Sequence, residues 1–244
     1  MQSSNYVKSI RRLSKECANR RQPASADPVV WTAAKRFFEE LAEAKPRSTG
    51  DRYFIAEAFK NGIIAAAKAA PKHCGLRAVP EPTLEFEREF DFTKRPDLLI
   101  WREGETSRIV VEIKSSGRGN DIAAAVAQFA LIRKFGSGIR CRGCGDGDIV
   151  PLANETSFAL VSGYGDRSYA KTVRMWRQVF DDVLFNDWNI FGTEVADREY
   201  ASTAAYCFFC FLVNHGASER PVSCLMPDSS CPLLKKPRPG PREI

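Results

Sequence analysis

The sequence predicts an α/β domain built on a mixed β-sheet flanked by helices. Three observations carry that expectation. Apolar residues recur at helical spacing in two stretches before residue 71. The period then shortens to strand alternation in three consecutive runs between residues 84 and 113. A helix, a strand and a helix follow from about residue 121 onward. Consecutive strands leading into a helix-strand-helix unit argue for a sheet with both antiparallel and parallel neighbours, not for a barrel or a doubly wound parallel fold.

Asp27 followed by Pro28 is a helix start, with a side-chain cap before a proline at the first helical position. Val30, Trp31, Ala34, Phe37, Phe38 and Leu41 extend that helix toward the Pro46 break. A second helix spans about Asp51 to Ala70 through Phe54, Ile55, Phe59, Ile63 and Ile64, closed by Pro71. Leu84, Phe86, Phe90 and Phe92 mostly alternate with Glu85, Glu87, Glu89 and Asp91, which reads as a half-buried strand with a solvated acidic face. Strands at Asp97–Trp101 and Arg108–Ile113 come next. A helix over about Asp121–Phe135 is built on Ile122, Val126, Phe129, Ala130 and Ile132, and Phe158–Ser162 reads as a strand. Tyr169–Phe185 reads as a last amphipathic helix carrying Val173, Trp176, Val179, Phe180 and Leu184.

The chain has 244 residues, 44% of them hydrophobic and 27% charged, an ordinary composition for one domain with tails. It contains no apolar run of membrane-spanning length, and its first residues lack the apolar core of a secretory signal, so an intracellular protein without a membrane partner is expected. Eight cysteines are then expected to be mainly reduced thiols. The net charge of +6 is concentrated at the ends. Lys8, Arg11, Arg12, Lys15, Arg20 and Arg21 load the start, and Lys235, Lys236, Arg238 and Arg242 load the close. Basic ends suit a polyanion such as nucleic acid, although taken alone they are more simply read as solubilising tails.

The segment from Arg95 to Lys114 concentrates the chemistry. If Gly104-Glu105 forms a two-residue turn of the type that prefers glycine first, the register follows by counting. Trp101 lies opposite Arg108, Leu99 opposite Val110, and Asp97 opposite Glu112. Side chains alternate across a strand, so Lys114 shares a face with Glu112 while Val111 and Ile113 point the other way. Directly opposed carboxylates have Cβ atoms about 5 Å apart and repel unless a cation lies between them. An all-oxygen site of this kind suits Mg²⁺ or Mn²⁺. A metal-bound water beside a lysine ammonium can attack phosphorus. The plainer alternative is a solvated hairpin end with a weak surface ion pair.

Through Pro96-Asp97 and Glu112-Ile113-Lys114, the chain resembles the PD-(D/E)xK nuclease superfamily over about residues 50–165. The resemblance implies a restriction-endonuclease-like core and phosphodiester hydrolysis, and the sequence reading adds extra N- and C-terminal helical segments to that core. It implies Asp97, Glu112 and the Ile113 carbonyl as metal ligands and Lys114 as the group that positions or activates water. Glu57 and Gln128 resemble an additional acidic ligand and a glutamine in the RecB-type branch, although Ile132 stands where that branch usually has tyrosine. Arg118, Arg133 and Lys134 are candidate contacts to a phosphate backbone, which would position the substrate without reading bases. DNA is favoured as partner over RNA, and a homodimer or larger assembly is left open. An inactive nucleic-acid-binding or effector module on the same fold is the competing reading.

The corresponding division of the chain is a basic N-terminal arm over 1–26, a nuclease-like domain over 27–200, a helical extension over 201–231 and a basic proline-rich tail over 232–244. The pairs Cys141/Cys144 and Cys207/Cys210, with His215 nearby, could supply zinc ligands, but the second pair sits in an apolar run where cysteine acts as a small hydrophobe.

Overall fold

The computed structural model describes residues 3–24, 26–44, 51–69, 76–85, 93–102, 107–116, 119–135, 140–142, 156–164, 169–181, 183–192 and 197–214. Three helices come first: α1 (Ser3–Ala18), α2 (Pro28–Glu43) and α3 (Asp51–Ala69). Four short strands and a longer one follow: β1 (Leu76–Pro80), β2 (Thr83–Glu85), β3 (Thr93–Lys94), β4 (Leu98–Arg102) and β5 (Ile109–Ser116). The remainder is α4 (Gly119–Phe135), β6 (Arg140–Arg142), β7 (Ser157–Tyr164), α5 (Tyr169–Val179), β8 (Phe185–Asn189) and α6 (Arg198–Asn214).

The main sheet has five strands in the order β1-β4-β5-β7-β8. β4 is antiparallel to both β1 and β5, whereas β7 is parallel to β5 and β8 parallel to β7. The expected mixed sheet between helices is therefore present. A small antiparallel sheet, β3-β2-β6, stands beside it.

Alternation along the strands separates two cores. Leu98, Ile100, Ile109, Val111, Ile113, Ala159, Val161 and Trp188 face the larger one, with α1, α2, α3 and α6. Leu99, Val110, Phe158, Leu160 and Phe185 face the smaller one, with Ile122, Val126 and Phe129 of α4 and Tyr169 and Val173 of α5. The larger core is rich in aromatic edges, Phe37 meeting Phe59 at 5.3 Å and Phe209 at 5.6 Å between ring centroids. α2 and α3 approach so closely that a Cβ on Gly62 would stand 2.8 Å from Phe37 Cδ2.

The start of α2 follows its local code. Asp27 Oδ1 accepts from the N–H groups of Val29 and Val30 at 2.8 and 3.1 Å, and Pro28 begins the first turn. Elsewhere the sequence reading needs correction. Residues 3–18, expected within a basic arm, form α1, whose Val7, Ile10, Leu13, Cys17 and Ala18 are buried in the larger core. Lys8, Arg12 and Lys15 are exposed, away from that stripe, whereas Arg11 is half-buried and its Nε donates to the Ala42 carbonyl of α2 at 3.5 Å. The helix expected as far as Phe185 ends at Val179, and Phe185–Asn189 is instead the fifth strand of the sheet. Leu184, counted as part of the helix's apolar side, is 77% exposed. The helix of residues 198–214 is no appended extension, since Ala201, Tyr206, Phe208, Phe209 and Leu212 are interior residues of the larger core. The Gly104-Glu105 turn, most of the acidic run between Glu85 and Phe92, and the basic tail lie outside the described residues.

A carboxylate–lysine cluster on the β4–β5 pair

The register of β4 and β5 places Leu98 opposite Val111, Leu99 opposite Val110 and Ile100 opposite Ile109. This is the register obtained by counting from the turn, and the Arg108 guanidinium lies over the Trp101 ring at 5.5 Å, as opposed partners should. Glu112 and Lys114 share the face of Val110, toward α4.

The ladder ends at Leu98, and the sequence supplies the reason. Pro96 has no N–H to donate, so the strand opens where the motif begins. Side-chain bonds take over from there. Asp97 Oδ2 accepts the Ile113 N–H at 2.6 Å, standing in for a ladder carbonyl, and the Asp97 main chain in turn bonds the Glu112 carboxylate. Asp97 thus ties the strand pair twice, its main chain to the Glu112 carboxylate and its own carboxylate to the neighbouring Ile113 N–H.

Glu112 is 3% exposed, the most buried ionisable carboxylate among the described residues. Lys114 Nζ donates to its Oε2 at 2.7 Å, and Gln128 Nε2, from the middle of α4, donates to its Oε1 at 2.8 Å. Burial raises the Glu112 pKa, with a further push from Asp97. The attraction of Lys114 and the bonds from Lys114 and Asp97 pull back, leaving it at about 7. Burial acts on Lys114 in the opposite sense and is the largest single effect there. Glu112, Asp97 and Asp121 together overcome it and hold the ammonium above the ordinary lysine range. Lys114 therefore remains a charged donor, not a base.

An ionised carboxylate offers about four acceptor positions. Glu112 meets three donors, from Lys114, Gln128 and the Asp97 main chain. Among the described residues no group of three or more His, Cys, Asp or Glu is gathered as a metal site. The protein's offer is two carboxylates on neighbouring strands, a donor set that fits a hard cation retaining several of its waters and does not fit a closed structural zinc centre.

The other expected residues divide. Gln128 joins the cluster, while Ile132, one turn further along α4, is buried in the smaller core. Glu57 is half-buried on α3 and is not grouped with Asp97 and Glu112 as a third ligand. Arg133 and Lys134 occupy the last turn of α4, beyond Gln128 from the end where Asp121 approaches Lys114. Ile113 turns its side chain into the larger core, and its N–H serves Asp97. Arg118, Cys144 and His215 lie outside the described residues, while Cys207 and Cys210 are thiols fully buried on α6, as small hydrophobes would be.

Two features escaped the sequence reading. Asp121 served there only as the approximate start of a helix, yet the fold brings its charge to Lys114. On the same sheet face, Asp187 of β8 accepts from Tyr169 at 3.2 Å and from Arg177 at 2.5 Å, clamping both ends of α5 across the strand. The eight-residue spacing of Tyr169 and Arg177 is a helical-face signal, but their partner Asp187 lies on β8, a strand the sequence reading did not assign. The sequence matches no family model, and no curated protein matches it.

Proposed function

We propose that this chain is a metal-dependent nuclease with a restriction-endonuclease-like core of the PD-(D/E)xK type, hydrolysing phosphodiester bonds, with DNA as the first candidate substrate and RNA the second. The observation that carries the reading is Glu112, a buried carboxylate held by Lys114 and Gln128 on the strand next to Asp97. A structural ion pair needs no second acid beside it, and the half-buried Asp97 next to buried Glu112 puts two carboxylates against the single ammonium of Lys114, an excess of negative charge that a divalent cation would balance.

Asp97 and Glu112 would hold Mg²⁺ or Mn²⁺. When bound, the cation supplies an acidified water and charge neutralisation at phosphorus. The protein's own groups do the rest. The Ile113 N–H holds the Asp97 carboxylate, and Gln128 holds that of Glu112, so neither must reorganise when substrate arrives. Lys114 Nζ is held as a charged donor beside Glu112. Its ammonium then faces the negative charge that develops on the non-bridging phosphate oxygens.

Incubation of the purified chain with labelled single- and double-stranded DNA and RNA, in Mg²⁺, Mn²⁺ or EDTA, tests the reading. Cleavage should require the metal and fall at least about 100-fold in Lys114→Ala. Binding without cleavage under every condition would replace it with that of an inactive nucleic-acid-binding module.

A further inference from the structure

We infer that Lys60 of α3 and Glu81, at the end of β1, form a latch that positions Asp97. Glu81 is the one non-glycine residue with a left-handed backbone among those described, at φ 46°. It also precedes Pro82, whose ring restricts the residue before it. A side-chain-bearing residue stays in that conformation only where its surroundings compel it, and such strain concentrates near functional sites.

The compelling contacts are two. The Glu81 N–H donates to the Asp97 carbonyl at 3.0 Å, carrying the β1–β4 ladder one bond beyond its last pair, Pro80 with Leu98. The Glu81 carboxylate meets the Lys60 ammonium, which fastens the turn to α3. Their hydrogen bond, and secondarily their charge attraction, hold Glu81 below the usual carboxylate range. Asp97 is consequently gripped from both sides. Glu81 takes its main chain on the β1 side, and Ile113 takes its carboxylate on the β5 side. Between those grips Asp97 has little freedom, because Pro96 fixes the backbone just before it. The latch reaches Asp97 through the Glu81 main chain, while the Glu81 carboxylate also feels the charge of Arg95, two residues before Asp97.

The functional meaning rests on the nuclease reading, since it is as a metal-holding group that Asp97 needs a fixed direction. Two readouts separate the latch from that reading. The first is amide hydrogen exchange in the metal-free full chain. Lys60→Met and Glu81→Gln should each speed exchange at the Ile113 amide by roughly two- to fivefold, the scale of a partly exposed ion pair. Exchange at Val111, which lies within the β4–β5 ladder, should not change, and Lys60→Arg should retain the slow rate. The second is the Mg²⁺ concentration giving half-maximal cleavage, which should rise by a similar factor in Lys60→Met and Glu81→Gln while the rate at saturating metal is nearly kept. An unchanged Ile113 amide in both single variants overturns the latch whatever the cleavage result. A responsive amide in a protein that cleaves nothing leaves the latch standing and removes the nuclease.

Discussion

Glu112 combines deep burial with a lysine, an amide and a neighbouring acid, and its titration is the clearest consequence at the scale of a single residue. The folded chain keeps a proton on Glu112 up to about pH 7, whereas the free side chain loses it near 4.5. Between those values the folded state binds the extra proton. The contribution of Glu112 is therefore fully present below the lower value and is lost as pH rises through the upper one. In EDTA, the urea midpoint should fall across that window, and Glu112→Gln should flatten the slope. A saturating divalent cation should flatten it too, because a bound carboxylate has no proton to release.

At the scale of elements, Asp187 decides how α5 lies on the sheet. Its carboxylate takes Tyr169 from the first turn and Arg177 from the last, and Arg177 also donates to the Phe185 carbonyl at 3.0 Å. Burial and the adjacent Asp187 carboxylate raise the Tyr169 pKa well above its ordinary value, so the hydroxyl stays protonated and able to donate. Asp187→Asn removes the charge while keeping the size. It should lower unfolding stability by about 2 kcal/mol, the scale of hydrogen bonds to a charged group, measured by urea denaturation. An unchanged midpoint would mean that apolar packing alone sets α5.

The element scale also shows why some of the fold was legible and some was not. α2 carries a strong helical period with a capped start, α3 and α4 are apolar on most sides and are recognised by length, and β4, β5 and β7 carry apolar runs of strand length. β1 is a short edge strand, with Arg77 and Pro80 exposed and Ala78 and Val79 only half-buried, so it shows no clean alternation. β8 follows α5 after a short turn, and its Phe185 and Trp188 fall on opposite faces of the sheet, one in each core. Such spacing reads equally as helix or strand until a partner strand is seen.

For the whole molecule, the sheet divides the interior and the cluster occupies the α4 side of its middle strand. α1 and α6, from the two ends of the described chain, meet on the other side, where Arg20 bonds Glu199 at 2.5 Å. Among the described residues no helix is long and apolar enough to cross a membrane. A cation that binds only the folded state stabilises the whole fold. At a hundredfold excess over its Kd the gain is about 2.7 kcal/mol. For a chain of this size that corresponds to a Tm rise of roughly 5–10 °C. Differential scanning calorimetry with and without Mg²⁺ should show that rise, and Asp97→Asn should abolish it. An equal rise in the variant would place the cation elsewhere.

Taken alone, the sequence determined the α/β class, the β4–β5 register, and the shared face of Glu112 and Lys114. Each follows from local rules: hydrophobic period, turn length and the alternation of side chains along a strand. Tertiary structure alone decided that Gln128 reaches Glu112, that Asp121 approaches Lys114, that Glu81 grips Asp97, and that α1 belongs to the core. Those contacts join residues on different elements, and their geometry depends on how helices and strands pack together.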